Sequence, residues 1–370
     1  MSGLVEYKCP ACGGAMEFDS ALQKMKCPYC DTTMTVEEFE AMQKKDEDNT
    51  GNAQQSGNAQ QSGNAQWSSG GNNQWQDGET DNMAVYVCES CGGEIIADKT
   101  TGATTCPFCD NKIVMKGNFA GDLKPDCVIP FKLDKKAAKA AYINHLKGKK
   151  YLPKVFKDEN HIDEIKGVYV PFWLFDASVQ ADITYEAENI RIWADGDTEY
   201  TEHEIYNAVR GGTETFSHVP ADASKKMDDV LMESIEPFNY QDAVPFQSAY
   251  LAGYVADRYD VDKEERMQRA EERMKQAISN NLQKTVTGYT SVKQLGGNFQ
   301  FPAASYQYAL YPVWILNTTW RNEKFVFAMN GQTGKLTGDL PLDKKAFRLT
   351  LLMRGGIFSV VFLALLWLLF

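Results

Sequence analysis

Histidine is scarce in this 370-residue chain, with four residues at His145, His161, His203 and His218. None of them sits at metal-protease spacing. His203-Glu204 opens such a motif, but Asn207 stands where its second histidine belongs. The chain lacks a Gly-x-Ser-x-Gly elbow and a dinucleotide fingerprint. It also lacks a Walker A lysine loop, because Gly331-Gln-Thr-Gly334-Lys335 brings its glycines too close and reads as a hairpin turn. No enzyme activity is therefore expected. Positive charge is in deficit as well: the formal net charge of −12 makes a generic nucleic-acid binder a poor fit. Met1 to Tyr7 has neither the basic start nor the apolar run of a signal peptide, which points the start of the chain to the cytosol.

Cysteine is the residue with a pattern. Cys9-x-x-Cys12 is followed, after fourteen residues, by Cys27-x-x-Cys30, and Cys88-x-x-Cys91 … Cys106-x-x-Cys109 repeats that spacing. A Cys-x-x-Cys turn presents two sulfurs to one side of a metal ion, and a second turn closes a tetrahedron, the arrangement of a structural Zn²⁺ site. Gly13 and Gly92, each just after its unit's second cysteine, permit the positive φ that brings backbone N–H groups toward the thiolates. Two structural Zn²⁺ ions are expected, on Cys9, Cys12, Cys27 and Cys30 and on Cys88, Cys91, Cys106 and Cys109. The rival is a thioredoxin-like redox pair, against which stands the lack of a surrounding βαβ pattern. Four thiolates leave no open position for a water nucleophile, so a zinc hydrolase is not expected. The ninth cysteine, Cys127, precedes an apolar stretch and is expected to be buried and inert.

The chain divides into zinc ribbon 1 (1–45), a linker (46–82), zinc ribbon 2 (83–120), an α+β body (121–343) and a C-terminal segment (344–370). A helix over 36–45 capped by Thr35 closes the first ribbon. The linker repeats Gly-Asn-Ala-Gln-Gln-Ser from Gly51, with Trp67 and Trp75 replacing later residues. It has no apolar period and reads as a flexible tether spanning roughly 35 Å. Its two tryptophans are either exposed or docking anchors. In the body, Asp134 caps a helix that Gly148 ends. Gly167 to Val179 reads as a buried strand, 189–194 and 198–209 as a hairpin, and 224–235 and 262–282 as helices. A second hairpin is expected over 309–329, with a turn at Asn330-Gly331. Ile129-Pro-Phe131 with Pro171-Phe-Trp is echoed by Val244-Pro-Phe246 with Pro312-Val-Trp, which suggests two related halves. Acidic clusters read as solvated faces. The aromatics of 171–175 and 312–316 read as core, with a peptide or lipid groove between the halves as the alternative.

Leu349 to Phe370 is almost wholly apolar, broken by Arg354 among few others and preceded by Lys344, Lys345 and Arg348. The stretch after Arg354 spans about 24 Å as a helix against a hydrocarbon core of roughly 30 Å. With the preceding residues it reads as a C-terminal transmembrane helix, the N-terminal part facing the cytoplasm by the positive-inside rule. A core helix is the alternative. The expected fold class is thus α+β, with two small β ribbons, a mixed body and one membrane span at the cytoplasmic membrane.

Cys9-Pro-x-Cys-Gly13, Cys27-Pro-x-Cys30, Lys166-Gly-Val-Tyr-Val-Pro-Phe-Trp-Leu-Phe-Asp176, Val219-Pro-Ala-Asp-Ala-Ser224 and Ala328-Met-Asn-Gly-Gln-Thr-Gly-Lys335 carry a family resemblance. The chain resembles Firmicutes proteins with tandem TFIIB-type zinc ribbons and a membrane anchor, often labelled primosomal-helicase-like, a label for which this sequence offers no helicase core. The resemblance implies a non-enzymatic adaptor whose partners are SPFH (flotillin-like) and phage-shock-protein-A-like proteins of the envelope-stress response. The alternative is nucleic-acid binding through the ribbons, for which Lys8, Lys24, Lys26, Lys112 and Lys116 with Tyr7, Tyr29, Tyr86 and Phe108 are a thin set.

Overall fold

A computed structural model of the chain describes residues 8–47, 68–69, 74–75, 80, 83–88, 90–98, 106–108, 113–118 and 123–369. Most of the expected linker, Trp67 and Cys109 lie outside them. In chain order the elements begin with β1 (Glu17–Asp19), β2 (Lys24–Lys26), β3 (Thr33–Met34) and α1 (Val36–Glu47). Next come β4 (Ser68–Ser69), β5 (Met83–Cys88), β6 (Glu94–Asp98), β7 (Ile113–Asn118) and β8 (Cys127–Val128). They are followed by α2 (Lys135–Leu146), α3 (Glu159–Ile162), β9 (Lys166–Asp195), β10 (Thr198–Asp222), α4 (Asp229–Ser234), β11 (Val244–Pro245) and β12 (Val255–Asp257). The chain continues through α5 (Lys263–Gln283), β13 (Ser291–Trp320), β14 (Glu323–Asn330), β15 (Leu336–Gly338) and α6 (Lys344–Leu369).

β1–β3 form a small antiparallel sheet of their own. The remaining strands join one mixed sheet ordered β11-β8-β13-β9-β12-β6-β5-β7, with β10 on β9, and β14 and β4 on β13. Its axis is the long antiparallel pair β9 and β13. β9 starts as an apolar run because both its faces are covered. Tyr169, Trp173 and Phe175 enter the core beneath α2 and α5, while Val168, Val170, Phe172 and Leu174 enter a second core with Met232 of α4. Beyond Val179 only every second residue is buried, through Ala187, and α5 covers that face, with Tyr185 donating to the Ser279 carbonyl at 2.9 Å. β9 and β10 continue past Ser291, where β13 begins, and turn at Gly196 (φ 59°). Trp193 and Tyr200 stack near that tip, centroids 5.6 Å apart.

The body is an internal repeat in which β8-α2-β9-β10 matches β12-α5-β13-β14. Each short first strand pairs in parallel with the long strand of the other unit: Cys127 and Val128 with Ala309 and Leu310, Val255 and Ala256 with Val168 and Tyr169. The polar details repeat too. Asp134 precedes α2 and Asp262 precedes α5 as N-cap residues. Ala223 N–H donates to Pro171 at 2.9 Å and Gly331 N–H to Pro312 at 2.8 Å. The Ala223 carbonyl accepts from Asp260 and Val261, as the Gly331 carbonyl accepts from Lys132 and Leu133. Asp222 receives the Ser224 N–H at 3.0 Å, and Asn330 receives the Gln332 N–H at 2.9 Å. The sequence echo therefore named the wrong partner for the first strand. Val244–Pro245 is β11, which pairs antiparallel with β8, and the counterpart of β8 is β12.

The expected fold class needs correction at two places. The second cysteine unit is not a separate small ribbon, since β5, β6 and β7 are strands of the large sheet, joined to it through the β6–β12 pair. Nor does the C-terminal helix provide the expected transmembrane span. Among the described residues no helix is long and apolar enough to cross a membrane. In α6 the cations Lys344, Lys345, Arg348 and Arg354 occupy the first turns, and the stretch after Arg354 falls short of a roughly 30 Å hydrocarbon core. The expected placement as a single C-terminal span at the cytoplasmic membrane is corrected with it. α6 begins against the body, where Asp343 N–H donates to Tyr151 at 2.8 Å and Phe347 meets the Tyr151 ring.

Candidate metal centres

Three cysteine turns among the described residues are built by a short hydrogen-bonded loop. Cys9 N–H donates to Gly14 at 2.7 Å, and Gly13, at φ 72°, donates to the Cys9 carbonyl at 2.8 Å. Cys88, Gly93 and Gly92 (φ 71°) repeat this at 2.9 and 2.8 Å. At Cys27 the same loop closes through Thr32 and Asp31, a non-glycine residue at φ 58°. Aspartate is among the residues that tolerate this left-handed region.

The four sulfurs of Cys9, Cys12, Cys27 and Cys30 lie within 4.8 Å of one another. Cys9 to Cys30 and Cys12 to Cys27 are both 3.5 Å. That is too long for a disulfide of about 2.05 Å. It matches the edge of a tetrahedron with metal–sulfur bonds of ~2.3 Å, which is about 3.8 Å. Cys9 and Cys27 are buried while Cys12 and Cys30 face solvent. The Thr32 hydroxyl, 3.1 Å from the Cys30 sulfur, and the Thr32 N–H hold that thiol down at about 6. At Cys12 the Gly14 N–H favours the thiolate, but Cys30 and Cys27 outweigh it and push the group up to about 12. Four thiolates this close need a cation between them, so the donor set fits a soft divalent metal.

In the second centre Cys88, Cys91 and Cys106 come together within 4.8 Å, with Cys91 to Cys106 at 3.7 Å. Cys109 lies outside the described residues. Three body residues hold the Cys106-Pro107-Phe108 turn. Lys166 of β9 donates to the Cys106 carbonyl at 3.1 Å, and Asn317 of β13 to the Pro107 carbonyl at 2.6 Å. Lys226 runs beneath Gly93 and places its ammonium 5.7 Å from the Phe108 ring centroid. Lys226 is itself fixed by Asp257 at 2.7 Å and Asp260 at 3.4 Å. Burial alone would lower the Lys226 pKa, but those two carboxylates outweigh it and raise it. Burial pushes Asp257 up to about 6, held there by Lys226 and by the Ser224 hydroxyl, 2.5 Å away. The cysteine motif carries no signal for these three residues, which stand far from it in sequence and reach it only through the folded sheet.

The first centre docks differently. Phe18 packs edge-on against Tyr250 (5.1 Å) and donates its N–H to Ala252 at 3.1 Å, while Gln23 donates to the Phe131 carbonyl at 2.7 Å. Thr35 and Glu38 form a reciprocal capping box at the start of α1. Cys127 is buried, and its thiol is pushed up to about 12, chiefly by that burial. His203 lies on β10, not on a helix, 2.5 Å from Glu188. Gly331 to Lys335 is the turn between β14 and β15. Phe108 is buried and Tyr29 exposed, so these two do not make one stacking platform.

No family model and no solved structure matches this chain. It is 31% identical over 341 residues to a protein of Bacillus subtilis (strain 168) described as "Uncharacterized protein YdjG", covering 92% of this chain and 91% of that one. With likeness over nearly the whole of both chains, and cysteine clusters that fit zinc ribbons, the chain belongs to the YdjG family.

Proposed function

We propose that the protein is a non-enzymatic docking adaptor whose two cysteine centres are structural zinc sites. The carrying observation is the closed Cys9, Cys12, Cys27 and Cys30 cluster, mounted on the body by Phe18 and Gln23 with two of its cysteines facing out. A full thiolate shell stabilises a surface and leaves no position for an activated water. Zinc suits that role because it tolerates tetrahedral thiolate coordination without redox chemistry. A TFIIB-type ribbon reading agrees with the paired turns, and the sequence resemblance points to SPFH or phage-shock-protein-A-like partners. The net charge of −12 weighs against nucleic acid.

The test is affinity capture of the full-length protein, before and after chelation and with Cys88→Ser/Cys91→Ser. Recovery of an SPFH or phage-shock-type protein that is lost on both treatments supports the reading. Recovery that survives both, or recovery dominated by nucleic acid, overturns it.

A further inference from the structure

Trp75 sits in a stretch of glycine, asparagine, glutamine and serine. It is nonetheless half-buried in the body. Its ring meets Phe246 edge-on, centroids 5.8 Å apart at 88°, and the Lys124 ammonium lies 5.9 Å from its centroid. The groove around it is lined by Met83, Ile96, Leu251, Tyr308 and Leu310 as well as Phe246. Only about 20 Å³ stays free beside the indole, room for about one water. Just upstream, Ser68–Ser69 adds as a parallel strand to β13 at Ser305 and Tyr306. Two features of the fold thus receive these residues: a strand edge takes the backbone of Ser68–Ser69 and an apolar groove takes Trp75. Strand addition with a side-chain anchor is an established mode of peptide recognition.

We infer that this edge and groove form a docking site for an extended, tryptophan-bearing segment of a partner protein, and that Ser68–Ser69 and Trp75 are its built-in competitors. The chain's own segment defines the chemistry that fits: small polar residues that can lie along a strand edge, then an indole that fills the groove beneath Lys124. No cysteine lines the groove. A tethered occupant competes at an effective concentration of order millimolar, so the site in the intact chain opens only to a partner that outcompetes it.

The probe is a labelled peptide of residues 68–77, titrated into full-length protein and followed by anisotropy. Trp75→Ala should bind it at least about tenfold more tightly than the unaltered chain, because the internal competitor is gone. A peptide with alanine for its tryptophan should not bind. Trp75→Phe keeps a ring against Phe246 and should give an intermediate affinity, which decides the matter if Trp75→Ala loses its fold. Equal affinity for all three proteins, or no binding to either variant, overturns the inference. Dimers formed between Trp75→Ala and unaltered chains would assign the groove to a second copy and overturn the partner reading.

Discussion

Trp173 donates its indole N–H to the Val261 carbonyl at 2.9 Å, and Trp314, its counterpart in the repeat, does the same to Leu133 at 3.0 Å. Each bond ties the long strand of one unit to the residue just before the helix of the other. Trp173→Phe and Trp314→Phe each remove that donor, and each should cost on the order of 2 kcal/mol in urea unfolding. A silent Trp314→Phe beside a costly Trp173→Phe would show that the two halves do not share this role.

The same symmetry makes Gly331 and Ala223 counterparts with different freedom. A Cβ on Gly331 would lie 2.6 Å from the Phe131 ring and 2.9 Å from Pro312, and Phe131 is fully buried. Gly331→Ala should therefore destabilise by about 1–3 kcal/mol through overpacking. An unchanged unfolding midpoint would mean that the Phe131 cluster has room to give.

Asp222 and Asn330 are also counterparts, but one of them ionises. Burial pushes Asp222 up to about 8, and its Oδ2 has no hydrogen-bond partner among the described residues. A carboxyl raised in the folded state binds its proton more tightly there than in the unfolded chain. Its stabilising effect is complete below about pH 4 and is lost as the pH rises toward 8. Asp222→Asn removes that dependence. Relative to the unaltered chain it should gain stability between pH 5 and pH 9, by about 1–3 kcal/mol. Parallel unfolding curves at the two pH values would contradict this.

Metal loss should act differently at the two centres. The first rests on strands of two or three residues and little core, so Cys27→Ser should release one metal equivalent and render 8–47 sensitive to protease while the body stays folded. The second is stapled to β9 and β13, so Asn317→Ala, leaving the Pro107 carbonyl without its donor, should weaken metal retention about tenfold. Metal content after graded chelation measures both. Unchanged retention in Asn317→Ala would free the second centre from the body.

The sequence by itself determined which cysteines cluster among the described residues and where the local elements fall, because both rest on short-range rules. Cys-x-x-Cys spacing specifies a turn, Asp134 specifies a cap, and the double-sided apolar run from Gly167 specifies a buried strand. What only the tertiary structure decided is which distant segments meet. Parallel pairing of β8 with β13 and of β12 with β9 crosses more than 80 residues and leaves no periodic mark, so the echo in the sequence was aligned to β11 instead. The grip of Lys166, Lys226 and Asn317 on the second centre, and the seat of Trp75 on Phe246, depend on the same long-range pairings. The C-terminal helix shows the converse limit. An apolar run with a basic flank marked a membrane span in the sequence, whereas among the described residues no helix is long and apolar enough to cross a membrane.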